Sequence, residues 1–184
     1  MNWIALFSHT GNEIQRLASR LGKKPDKVVT NQDPSSDKIN KKLLKDQNVY
    51  YVRSKPTVGD YHRVFSRGDF VTLHGWMKII PPEVCEDTEI YNLHPGLITQ
   101  YPELKGADPQ KRVFAEDHTY TNVGCVLHRV VPEVDSGEVV MEMSTFNHFY
   151  DHGELSTRLH SMANDMWYDF LSYRLKGETN NSFK

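Results

Sequence analysis

Two polar residues stand two positions apart at the end of an apolar run in "IYNLHPG", residues 90–96: Asn92 and His94. Side chains alternate along a strand, so these two project to the same side, and Pro95 and Gly96 end the strand just beyond them. An amide and an imidazole aimed together are either a polar strand end facing water or two halves of one chemical site. The C-terminal end of a strand is also where open α/β sheets bind ligands. Two other stretches could join them. Asp135 lies in "PEVDSG", between two strong strand patterns. An aspartate before Ser-Gly is also an ordinary turn former. "FSHTGNEI" leads from a strand through Gly11 into a helix. Helix N-termini offer free N–H groups and a partial positive charge, which suit a phosphate.

Common catalytic signatures are missing. No G-x-S-x-G elbow is present for acyl-serine chemistry. "SHTGNE" has one glycine rather than the three of a dinucleotide fingerprint, and "LGKK" is not a Walker loop. His148 and His152 are four apart, but no Glu follows His148 and no third ligand is evident, so no metal is expected.

The elements that must position these residues follow from periodicity. Short apolar runs predict strands at Trp3–Phe7, Lys27–Thr30, Val49–Val52, Phe70–Leu73 and Ile90–Leu93. Ile14, Leu17, Ala18 and Leu21 fall at helical spacing before Gly22. Ile39, Leu43 and Leu44 mark one side of a second helix. Strands alternating with helices indicate α/β architecture with a largely parallel sheet. The later chain differs. Residues 95–109 carry Pro95, Gly96, Pro102, Gly106 and Pro109, which predict a long irregular loop of the kind that is often functional. Val123–Val131 and Glu138–Phe146 read as two further strands. Asp151 and Glu154 fit a capping box for a last helix, striped by Leu155, Leu159, Met162, Met166 and Phe170.

Bulk properties narrow the class. The 184 residues suit one domain, expected over 1–176, followed by a polar tail at 177–184. The formal net charge of −2 gives no footprint for nucleic acid, and no apolar run is long enough for a membrane span. "MNWIALFSHTGNE" reads as a strand, not a signal peptide. Cys85 and Cys125 are far apart in no paired motif, so a reducing, cytoplasmic setting is expected.

Taken together, the polar stretches resemble the folate-dependent formyltransferases. "YNLHPGLITQYPEL" is similar to that family's catalytic strand end and loop, and "GCVLHRVVPEVDSGEVV" to its strand, Asp turn and strand. "VTLHGWMKIIPPEV" resembles the apolar strand, Gly-aromatic-Met-basic turn and following proline. "FSHTGNEIQRLA" sits where the family places its phosphate loop. Within the superfamily the branch that formylates glycinamide ribonucleotide (GAR) looks nearest.

The resemblance implies a Rossmann-like formyltransferase fold, a mostly parallel twisted sheet flanked by helices. It implies formyl transfer from 10-formyltetrahydrofolate to a primary amine, with no metal and no covalent enzyme intermediate. Asn92, His94 and Asp135 would be catalytic. Met77, Lys78, Ile79, Ile80, Asn92 and Val130 would line the folate site. Gly11, Asn12 and Glu13 would meet a phosphorylated amine substrate. The sequence departs from the family where Gly11-Asn12-Glu13 replaces the usual Gly-Ser-Asn and where Gly96 replaces a serine. "NLHPG" also occurs in nucleotide-sugar N-formyltransferases, which gives a second acceptor class. The same residues are compatible with a 10-formyltetrahydrofolate hydrolase and with a non-catalytic folate- or nucleotide-binding module.

Overall fold

Trp3–Phe7 is five apolar residues with no polar alternation, the pattern of a strand buried on both faces. In the computed structural model, which describes residues 2–115, 119–149 and 151–176, it is an interior strand of the sheet. The strands are β1 (Trp3–Phe7), β2 (Lys27–Thr30), β3 (Val49–Tyr51), β4 (Phe70–Leu73), β5 (Glu89–His94), β6 (Asn122–Arg129) and β7 (Val139–Phe146). Their spatial order is β3-β2-β1-β4-β5-β6-β7. The first five are parallel, and β6 runs antiparallel to β5 and to β7. The chain winds outward from β1 to β3, then returns to place β4 on the other side of β1. That reversal opens a crevice at the C-terminal strand ends, the expected ligand position.

The helices are α1 (Asn12–Leu21), α2 (Lys41–Asp46), α3 (Val58–Val64), α4 (Pro82–Asp87), α5 (Pro109–Ala115) and α6 (His152–Lys176). They divide the core in two. On one face of the sheet Ile14, Leu17, Leu159, Met166 and Trp167 pack with Trp3, Ala5 and Phe7. On the other, Tyr61, Val64, Val84 and Cys85 pack with Ile4, Leu6, Val71 and Ile90. The expected stripe of α6 is buried throughout. Its entry is capped as the sequence suggests, the Glu154 N–H donating to Asp151 Oδ1 at 3.1 Å. None of the described helices is long and apolar enough to cross a membrane.

Three features differ from the sequence reading. Leu44 is 39% exposed while Ile39 and Leu43 are buried, because α2 is under two turns long and its buried side holds one leucine. The short helices α3, α4 and α5 were not expected, since one or two turns give periodicity little room to register. The loop after β5 spans 95–108, close to the expected length, but is less irregular than its prolines and glycines suggest. It holds a 3-10 turn at Pro102–Leu104 and passes into α5 at Pro109. The predicted tail at 177–184 lies outside the described residues.

Candidate active site

Strand parity is kept at the end of β5: Asn92 and His94 both face a cleft of about 600 Å³. Pairing with β6 sets Asn92 opposite His128, which adds a second imidazole to the same wall. The turn after β6 then brings Asp135 back over the strand ends. Its φ of 49° is left-handed, a conformation that Asp tolerates better than most residues. The carboxylate reaches both rings: His94 Nδ1 lies 3.2 Å from Oδ2, and His128 Nε2 lies 3.3 Å from Oδ1. The Gly106 N–H also donates to Oδ2, at 2.8 Å.

Burial pushes the Asp135 carboxyl up. Hydrogen bonds from His128 and His94, the positive charge of His94 and the Gly106 N–H outweigh it and hold the group well below the usual carboxylate range. Asp135 is therefore an ionised acceptor at neutral pH. His94 is 4% exposed, so it is a buried residue and not the polar surface residue that a strand-end histidine usually is. Its other nitrogen, Nε2, lies 2.9 Å from the Leu104 carbonyl. Both partners can only accept, so a ring with one proton donates to one of them and a ring with two donates to both. His128 Nδ1 faces the Arg129 carbonyl at 2.9 Å, and its Nε2 lies 3.4 Å from Asn92 Nδ2. An amide can turn either its oxygen or its NH2 toward that nitrogen. Gly96 gives the ring room, for a Cβ there would stand 3.1 Å from His94 Nε2 and 3.0 Å from Pro109 Cβ.

The arrangement joins an imidazole donor, an amide and an ionised carboxylate at one end of a half-apolar cleft. Such a set can stabilise an oxyanion and hold a proton in transit. The wall running away from it carries Met77, Lys78, Ile79, Ile80 and Val130, all five as expected. Met77 is 63% and Ile79 71% exposed, whereas Ile80 is buried. Exposed apolar side chains at a cleft mouth suit a flat aromatic ligand. Met77, Lys78, Ile79, Ile80 and Val130 thereby share one cleft with Asn92, His94 and Asp135.

Gly11, Asn12 and Glu13 are not among the residues that line the cleft; His9, just before them, is. Gly11 takes φ 72° and is buried under Leu43. Asn12 Oδ1 accepts from Asn40 Nδ2 at 2.7 Å. Glu13 turns inward, its Oε2 2.7 Å from His74 Nδ1. The sequence reading missed His128 and the backbone groups of Leu104 and Gly106. His128 carried a usable signal, a lone imidazole inside an apolar strand and seven residues before Asp135. The backbone groups carried none.

Comparison with known proteins agrees with this geometry. The profile of the family described as "Formyl transferase" matches residues 4–169. The phosphoribosylglycinamide formyltransferase of Dictyostelium discoideum is 35% identical over 88 residues, 43% of this chain and 41% of that protein. The trifunctional purine biosynthetic protein adenosine-3 of Bos taurus is 30% identical over 106 residues, 56% of this chain and 10% of that one. The alignments thus span under half the length of these relatives. Among solved structures, glycinamide ribonucleotide transformylase 1 of Symbiobacterium toebii superposes with a TM-score of 0.78 at 19% identity, covering 96% of this chain and 89% of its own. A sugar N-formyltransferase of a Shewanella species gives 0.68 at 18%, covering 94% and 69%. At such identities the likeness is one of fold, the Rossmann-like sheet with its flanking helices. The family match covers most of the chain, from Ile4 in β1 to Asp169 in α6, and the chain belongs to the formyl transferase family.

Proposed function

We propose that this chain transfers the formyl group of 10-formyltetrahydrofolate to a primary amine, with GAR as the first acceptor. One observation carries the reading: His94, with Asp135 behind it and Asn92 beside it, stands at the end of a cleft walled by Met77–Ile80 and Val130. The amine nitrogen bonds to the formyl carbon, and the carbonyl oxygen gains negative charge as a tetrahedral centre forms. His94 Nε2–H and the Asn92 amide are the donors in reach of that charge. Asp135 holds the ring through Nδ1 and keeps it positive. The bond from the formyl carbon to the folate nitrogen then breaks, and the proton lost by the amine reaches the departing nitrogen, with Asp135 aiding its passage. The apolar wall suits the pterin and benzoyl parts of the donor. No metal has a role in this reading. The catalytic unit is one domain over residues 1–176. The buried free thiols of Cys85 and Cys125 fit a reducing, cytoplasmic setting.

A nucleotide-linked amino sugar is the second acceptor reading. What favours it is that Gly11, Asn12 and Glu13, the loop that would grip a GAR phosphate, lie outside the lining of the cleft.

Incubation with 10-formyltetrahydrofolate and each amine, following folate release by absorbance and product mass, tests the proposal. Formylated GAR is the expected product. Formylated amino sugar selects the second reading, and folate release without amine indicates hydrolysis. Absence of folate binding by calorimetry would sink all three.

A further inference from the structure

Arg112 has no part in the chemistry above, yet its guanidinium gathers the backbone that touches the catalytic pair. Nη1 donates to the Glu103 carbonyl, and Nη2 lies 3.1 Å from the Leu104 carbonyl, 3.0 Å from that of Lys105 and 2.9 Å from that of Ala107. Four carbonyls of one short segment converge on one side chain projecting from α5. Two backbone groups of that segment meet the active site. The Leu104 carbonyl accepts from His94 Nε2, and the Gly106 N–H donates to Asp135 Oδ2. Lys105 Nζ adds a tie to Ser136 Oγ at 2.8 Å, joining the segment to the Asp135 turn.

We propose that Arg112 is a positioning residue for formyl transfer, acting on His94 through the Leu104 carbonyl and on Asp135 through the Gly106 N–H. In the resting enzyme the Leu104 carbonyl lies 2.9 Å from Nε2 and fixes the plane in which the ring meets an incoming formyl oxygen. When the formyl oxygen takes the Nε2–H, the carbonyl is released but stays in place under Arg112. Gly106 meanwhile keeps the Asp135 carboxylate aimed at Nδ1, although its turn sits at a left-handed φ. Only a planar fork with several donors can span these carbonyls, so lysine is a poor substitute. Arg112 itself does not line the cleft, and the Gly106 and Ala107 it steadies do so beside the catalytic pair, so its loss should act on turnover more than on affinity.

The inference rests on the formyl-transfer reading, and the test separates the two. Wild type, Arg112→Ala and Arg112→Lys are assayed in parallel with donor and amine. Arg112→Ala is expected to lower kcat by about a hundredfold, the scale of a misplaced catalytic group. KM for donor and acceptor should stay within about threefold. Arg112→Lys should recover only part of the loss. Methylguanidinium added to Arg112→Ala should restore turnover, and added to His94→Ala should not. A second readout needs no turnover: the downfield proton resonance of the His94 ring N–H, assigned by its loss in His94→Ala, should vanish in Arg112→Ala through exchange with water. Unchanged kcat beside an active wild type overturns the proposal, as does a kcat loss with no methylguanidinium rescue. If no amine is formylated by wild type, the functional reading fails, and the proton resonance alone decides whether Arg112 orders His94. Its persistence in Arg112→Ala also overturns the proposal.

Discussion

The sheet ends in two buried histidine–carboxylate pairs, built from similar parts and wired differently. His74, one residue past β4, lies with Nδ1 2.7 Å from Glu13 and Nε2 2.8 Å from Thr72 Oγ1. Thr72 Oγ1 also accepts the Trp3 indole N–H at 2.8 Å, and its own proton has two acceptors in reach, His74 Nε2 and, at 3.5 Å, the Ile4 carbonyl. A ring with one proton satisfies every contact, and Trp167 covers it with centroids 4.8 Å apart. His94, at the end of β5, faces a carboxylate on one side and a carbonyl on the other. It donates to both only with two protons, and it opens on the cleft. A histidine beside a carboxylate is thus not a site by itself. What distinguishes the second pair is a ring that meets an acceptor at each nitrogen and a path for a substrate to reach it.

The sharpest test of that contrast is activity. His94→Ala should lower kcat by roughly a hundredfold to a thousandfold, the usual cost of one oxyanion donor. Asp135→Asn keeps the shape and removes the charge that sustains the doubly protonated ring, and should fall into a similar range. Steady-state assays beside circular dichroism separate this from unfolding. Turnover near wild type in either variant would place the chemistry elsewhere.

His74→Ala should do the reverse. It removes a side chain that is wholly buried and leaves Glu13 and Thr72 without partners, at a cost of about 3 kcal/mol. Urea unfolding reads this loss, while kcat at saturation should stay within about threefold. A large fall in kcat with unchanged stability would mean that the His74 pair also serves the reaction.

These two outcomes bear on what was legible in the sequence. Parity at Asn92 and His94, the turn at Asp135 and the apolar runs of the parallel strands were readable, because strand alternation and burial on both faces leave direct marks in residue type. The orientation of Glu13 was not. A carboxylate in the first turn of a helix reads as a dipole partner or a ligand contact, and the pull of His74 comes from sixty-one positions away in sequence. The hold of Leu104 and Gly106 on the catalytic pair was equally hidden, since backbone groups look alike in every residue. Arg112 could be noticed only once its four carbonyls had converged.

A smaller effect sharpens the wiring of the first pair. If His74 carries one proton and donates it from Nδ1, Glu13 need only accept. Glu13→Gln keeps an acceptor oxygen in place, so thermal melting should shift by less than about 1 kcal/mol equivalent, the net value of one hydrogen bond. Asp135→Asn under the same conditions should be the more costly change, because there the partner is charged. Equal losses would put a charged ring at both sites. Gly11→Ala belongs to the same corner and acts through the backbone. A Cβ there would stand 2.4 Å from Leu43 Cδ2, at a φ of 72° that an L residue adopts with a penalty of about 1–2 kcal/mol. Any rise in acceptor KM in that variant must be read against its stability.

The smallest expected effect is in acid. The Asp135 carboxyl lies well below its ordinary value in the folded protein, because hydrogen bonds from His128 and His94, the charge of His94 and the Gly106 N–H overcome its burial. A depressed folded value contributes stability that is complete above the unfolded value, about 3.9, and is lost as pH falls toward the folded one. Asp135→Asn has no such titration. The gap in melting temperature between wild type and Asp135→Asn, taken at about pH 5.5, should therefore hold down to about pH 4 and narrow below it. A gap that stays constant to about pH 3, or widens, would show that Asp135 is not stabilised as an anion by His94 and His128. The second pair would then lose the charge that sets it apart from the first.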